Sequence, residues 1–264
     1  MNGRAERLAR VLGPLAVGLV VVAGWEALVR WKSIPIYVLP GPVLVLRALI
    51  TDGGSLLGSL VFTLRVTGLA LVGAAVLGGL LAVLLAQSRW IERAFFPYAV
   101  ILQVTPIVSI APLVIIWIDN TFAALLVCAW IVAFFPVLSN TTLGLRSAEP
   151  NLVDLFRLYG ASRWQTLVYL RLPTALPYFL AGLRISGGLA LVGAVVAEFV
   201  AGTGGSETGL AFRILESGYR LQIPRLFAAL MLLSLSGVAI YGALHWLSNR
   251  LLRHWHASAL TRPN

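Results

Sequence analysis

Few residues in this chain could make or break bonds, and none are spaced for it. His245, His254 and His256 have no carboxylate or cysteine partner at metal-ligand spacing. His254 and His256 are two apart, so a helix would point them in different directions. Cys128 stands alone within an apolar run, which leaves no disulfide framework and no thiol motif. Neither a G-x-S-x-G elbow nor a G-x-x-x-x-G-K-[ST] phosphate loop occurs. No catalytic residue, metal or cofactor is therefore expected in this chain. One ionisable group does stand out. Glu198 lies near the end of a long apolar stretch, and at membrane depth such a group is a functional candidate. Three roles are open to it: a gate, a cap on a neighbouring helix, or an ion pair with Arg213 or Arg220. Arg184, earlier in the same stretch, is placed to snorkel to an interface.

The most patterned polar segment is 144–172. Pro150 suits the first position of a helix, where its missing N–H costs nothing. Leu152, Leu155, Phe156 and Tyr159 follow at i, i+3, i+4 and i+7, one apolar face. Gly160 suits the left-handed position that ends a helix. Ser162 and Gln165 form a capping-box pattern that starts a second helix. Leu172-Pro173 is expected to stop that helix, with Thr174 capping the next. The apolar face has two readings: it is covered by a partner, or it lies flat in the headgroups of a membrane.

The elements that hold these residues are apolar. Hydrophobic residues make up 59% of the chain, charged residues 11%, and mean hydropathy is +0.90. A soluble domain is about one-quarter charged, so lipid must solvate much of this surface. The net charge of +10 does not point to nucleic acid, because the basic residues flank apolar runs and form no basic face. Six spans are expected, near 11–29, 61–86, 95–118, 122–143, 175–200 and 226–247. Arg4, Arg7 and Arg10 precede the first, which is too long and lacks the cleavage site of a signal peptide. A short interfacial helix is expected at 43–50 and another near 210–217. Gly68, Gly73, Gly78 and Gly79 suit close helix packing in lipid. The third span carries Pro97, Pro106 and Pro112, so a kink or break is expected. Gln103, Thr105, Pro106, Ser109, Pro112 and Trp117 could line a path there; alternatively the prolines only bend a packed helix. The arginine bias puts both termini and the 149–173 segment in the cytoplasm.

The pattern Asp154-Leu155-Phe156, three residues, Gly160, nine residues, Leu170-x-Leu172-Pro173 resembles the EAA motif of ATP-binding-cassette (ABC) importer permeases. That motif reads Glu-Ala-Ala, three residues, Gly, nine residues, Ile-x-Leu-Pro. Leu155 and Phe156 stand where the motif has two alanines, which adds bulk. The wider stretch GASRWQTLVYLRLPTALPYFLAGLRIS is also similar to this family. LPGPVLVLRAL, QVTPIVSIAPLVIIW and LVGAVVAEFVAG look like the nitrate/sulfonate/taurine branch, which includes importers of thiamine precursors and related heterocycles.

The resemblance implies an all-α, type I importer permease fold, one transmembrane domain over residues 1–264. It implies a homodimer in a bacterial inner membrane, two cytoplasmic ABC ATPases that bind ATP-Mg, and a periplasmic or extracellular substrate-binding protein. It further implies that Leu152, Leu155, Phe156 and Tyr159 seat in the ATPase. Gly160, Ala161 and Ser162 would form the bend, Asp154, Arg157 and Arg163 the polar rim, and Leu172-Pro173 the return to the membrane. The solute is expected to be a sulfonate- or nitrate-like anion or a heterocyclic vitamin precursor, and the 103–117 stretch looks slightly more like the heterocycle importers. An ATP-independent secondary transporter is the competing expectation. It would show inverted repeats and intramembrane charge pairs, and neither is visible.

Overall fold

The computed structural model describes residues 3–202 and 208–253, which are helices joined by short turns. The side chains of Arg4, Arg7, Arg10 and Arg89, and the tail residues His254, His256 and Arg262, lie outside what is described. In chain order the helices are α1 (Gly3–Trp31), α2 (Pro42–Thr51), α3 (Gly53–Ala86), α4 (Arg89–Val104), α5 (Ile107–Trp117) and α6 (Thr121–Arg146). They continue with α7 (Pro150–Leu158), α8 (Arg163–Thr166), a π-helical turn at Leu167–Arg171, α9 (Leu172–Ala201), α10 (Leu210–Tyr219) and α11 (Ile223–Leu252).

Among the described residues, α3, α6, α11 and the continuous helix Arg163–Ala201 are each long and apolar enough to cross a bilayer. α4 and α5 qualify only as a pair, bent by 98°. Their 16 and 11 residues give lengths of roughly 24 and 16 Å. Neither alone reaches across a hydrocarbon core of about 30 Å. α1 covers the expected first span. The chain is a multi-pass membrane protein.

Three helices, α3, α6 and α9, pack around one another and carry the core. Ala74, Ala82, Ala133, Val137 and Ala190 are fully buried among them. Small residues let the backbones approach, as lipid-embedded packing requires. A Cβ on Gly182 would sit 2.7 Å from the Pro136 carbonyl, and one on Gly78 would sit 3.2 Å from Val137. Gly73 and Gly79 also face neighbours, but Gly68 does not. Composition alone marked Gly68, whose position on α3 turns it away from the core. α10, α2 and α11 close one end of the bundle around Leu56, Leu210, Ala228 and Leu232.

One expectation is met and one needs correction. The third span is broken, and Pro106 alone breaks it. Thr105, before the proline, is forced into extended backbone (ψ 121°), and Pro106, extended as well, is the N-cap from which α5 starts at Ile107. Pro97 and Pro112 stay inside their helices. The correction concerns Leu172-Pro173, which does not stop a helix. The chain passes from α8 through the π turn into α9 without leaving helical geometry. The Leu172 N–H bonds to the Leu167 carbonyl, five residues back. That widened turn absorbs the donor that Pro173 lacks. Thr174 accordingly caps nothing; its hydroxyl donates back to the Leu170 carbonyl at 2.7 Å.

Candidate functional site

The segment between α6 and α9 folds as its local signals direct. Pro150 opens α7. The helix ends in a Schellman arrangement, with the Gly160 N–H on the Arg157 carbonyl at 3.0 Å and the Ala161 N–H on the Phe156 carbonyl at 2.9 Å. Gly160 takes φ +70°, where a Cβ costs about 1–2 kcal/mol. A Cβ there would meet no neighbour, so the glycine is required by backbone conformation and not by space. Ser162 then accepts from the Gln165 N–H at 3.2 Å while the Gln165 side chain accepts from the Ser162 N–H at 2.7 Å. This is the complete capping box expected from the sequence.

No residue of α7 is buried. Leu152 and Leu155 are 41% and 44% exposed, and Leu158 and Tyr159 are both 84% exposed. Phe156 is only half-exposed, on the same side as Val153, and Val153 lines the cavity against the bundle. Phe156 thus stands at the edge of the outward face, and Leu158, which the sequence reading omitted, joins it. Asp154 and Arg157 pair with each other at 3.3 Å, both well exposed. Such a pair contributes at most about 1 kcal/mol and is free to exchange partners. Arg163 is exposed at the start of α8, Leu172 is partly exposed and Pro173 half-buried, where the chain re-enters the bundle.

The residues expected along a path gather on the broken span. Gln103, Pro106, Ser109, Pro112 and Trp117 are all exposed on this subunit. Ser109 and Pro112 share the side of α5 opposite Ala111 and Val114, which are buried against the bundle. Thr105 departs from the group: its hydroxyl donates to the Ile101 carbonyl at 2.7 Å, half-buried, and so seals the frayed end of α4.

Glu198 lies at the opposite membrane end from α7 and is 3% exposed. Its carboxylate accepts from the Thr63 hydroxyl at 2.7 Å and from the Ala211 N–H at 3.0 Å. The Leu210 N–H donates to the Thr63 hydroxyl at 2.9 Å. Glu198 and Thr63 together cap the first turn of α10, where free N–H groups and the helix dipole favour an anion. Gly209 makes room, since a Cβ there would collide with the carboxylate. Of the three roles open to Glu198, the helix cap is the one its contacts show. It does not pair with Arg213 or Arg220. Those side chains bond Glu216 at 3.0 and 3.1 Å, and Arg213 also donates to Ser59 at 3.0 Å. Burial pushes the Glu216 carboxyl up, but the Arg213 hydrogen bond and the charges of Arg213, Arg220 and Arg225 outweigh it and hold the group below its ordinary value. Thr63 escaped sequence reasoning because its partner lies 135 residues away, and Gly209 because no helical or turn spacing links it to Glu198.

Arg184 donates to Ser248 on α11 at 3.0 Å. Among the described residues no group of three or more His, Cys, Asp or Glu could hold a metal.

A family profile described as "Binding-protein-dependent transport system inner membrane component" matches residues 74–253. The chain is 32% identical to the formylaminopyrimidine transport permease protein ThiX of Halalkalibacterium halodurans, over 94% of this chain and 97% of that one. It is 34% identical to the riboflavin transport system permease protein RibX of Chloroflexus aurantiacus, over 93% and 90%. It is 29% identical to a putative aliphatic sulfonates transport permease protein SsuC of Bacillus subtilis, over 92% and 87%. Among solved structures, the crystal structure of an amino acid ABC transporter with histidines superimposes with a TM-score of 0.62 at 18% identity, covering 76% of this chain and 96% of that one.

Proposed function

This chain belongs to the family of binding-protein-dependent transport system inner membrane components and is an ABC importer permease, and from that premise we propose how its two ends work. The α7–α8 segment is the surface on which a cytoplasmic ATPase acts. The observation that carries this is an ordered helix with a Leu/Tyr face, held by a Schellman turn and a capping box, that buries none of its residues in its own subunit. A helix fixed this carefully and left uncovered is a partner surface. Two ATPase subunits that close on ATP draw two such helices together. The continuous helix Arg163–Ala201 carries that displacement into the bundle without a flexible link. ATP can shift the permease only by its different affinity for the two arrangements. Binding and hydrolysis of ATP-Mg therefore belong to the partner, and this chain supplies the lever.

In this reading the working unit is a homodimer in a bacterial inner membrane, with α7 and both termini cytoplasmic. The exposed face of α5, with Ser109 and Pro112, meets the second copy or the path between them. Gln103, Ser109 and Trp117 offer hydrogen bonds and an aromatic face but no charge. That favours a planar heterocycle over an oxyanion, in keeping with the pyrimidine and riboflavin permeases among the relatives. An external binding protein delivers the solute.

The test is Gly160→Val in vesicles containing the reconstituted transporter. The altered bend is expected to uncouple ATP hydrolysis from uptake while the complex still assembles. Unchanged solute-stimulated hydrolysis and unchanged uptake would remove the assignment.

A further inference from the structure

Between α7 and the end of the bundle lies a cleft of about 940 Å³, and a cavity of about 410 Å³ adjoins it. Arg157 and Arg171 line both, Arg93 and Arg146 line the first, and Arg163 lines the second. These five arginines come from separate elements: α4, α6, α7, α8 and the π turn. Glu92 is the acidic side chain on the walls, and Arg146 already pairs with it. Arg157 is paired with Asp154. Arg93, Arg163 and Arg171 form no ion pair among the described residues.

A bias of arginine to one membrane side explains their presence near this end. It does not explain why they converge on two adjoining cavities, where like charges repel. An anion in the cleft would relieve that repulsion. The wall is cationic, but the same cleft is floored by Phe96, Pro97 and Leu145. A small soluble anion has no use for that floor, whereas an amphiphile fits both surfaces. Guanidinium groups recognise phosphate oxygens in bidentate fashion, and basic pockets at the cytoplasmic ends of membrane helices hold anionic headgroups.

We propose that this cleft binds the phosphate of an anionic phospholipid, lodged between the coupling helix and the bundle. The proposal rests on the reading above that this end faces the cytoplasm, yet it is read out separately from ATP-driven uptake.

The test is native mass spectrometry of the assembled transporter equilibrated with equimolar phosphatidylglycerol and phosphatidylcholine. Phosphatidylglycerol is expected to be retained preferentially. Arg93→Gln and Arg171→Gln should each lower its retention by about fivefold. Arg47→Gln, exposed on α2 at the opposite end of the bundle, should leave it unchanged. Should Arg171→Gln fail to assemble, Arg93→Gln, at an exposed side chain, gives the same reading. Equal retention of the two lipids, or full retention by the Arg93→Gln and Arg171→Gln variants, would overturn the proposal. Excess inorganic phosphate should not displace the lipid; displacement would assign the cleft to a free phosphate and overturn the lipid assignment.

Discussion

The two membrane ends of this subunit are built by opposite strategies. At one end α7 is secured entirely by its own neighbours in sequence: a proline start, a glycine stop and a capping box, with no buried residue. At the other end α10 begins on a buried carboxylate and a hydroxyl borrowed from α9 and α3, more than a hundred residues apart in sequence. The first arrangement leaves an apolar face to be completed from outside. The second completes itself. Local order without burial marks a surface awaiting a partner, and non-local order with full burial marks a joint that holds the bundle closed.

Substitutions at the two ends should therefore fail differently. The largest effect is expected at Gly209→Val, whose side chain needs the space of the Glu198 carboxylate. It should cost on the order of 3 kcal/mol, seen as loss of assembled protein in size-exclusion profiles. Leu155→Asp should leave the melting temperature alone but lower ATP-driven uptake about tenfold or more by spoiling a desolvated contact. If Leu155→Asp instead melts the subunit, the contrast between the ends collapses. Glu198→Gln keeps shape but cannot accept both hydrogen bonds equally, and should cost about 1–2 kcal/mol in thermal unfolding. Ser162→Ala removes one cap, about 1 kcal/mol, with partial uncoupling and little change in bundle stability.

The smallest effect concerns pH. Glu216 has its carboxyl held below its ordinary value, chiefly by Arg213 once burial is overcome. Its contribution is complete above the ordinary carboxylate range and is lost as the pH falls through the lowered value. Acidification should loosen α10 before α7, a difference that hydrogen exchange can follow.

The same contrast explains what was legible in the sequence. The α7–α8 turn could be read almost residue by residue, because Pro150, Gly160, Ser162 and Gln165 act on their near neighbours. The break at Pro106 was half-legible: three prolines offered three sites, and the chain opens only at the one where Thr105 takes extended backbone. The run through Leu172-Pro173 was misread because a π turn depends on hydrogen bonds one residue longer than the helical rule. Glu198 was visible as an oddity, but its partners Thr63, Ala211 and Gly209 were not, since no short-range pattern links them. Phe156 shifted to the edge of its face for a similar reason, as Val153 beside it meets the bundle.

The central claim, that an ATPase seats on α7, can be tested directly by cross-linking. Cys128 is the chain's single cysteine and is buried, so Leu155→Cys presents one reactive thiol on the outward face. The account predicts that this position cross-links to the ATPase in the assembled complex, and that Tyr219→Cys, exposed at the opposite end, does not. An ATPase cross-link at Tyr219→Cys, or none at Leu155→Cys in a complex that still hydrolyses ATP, would contradict it.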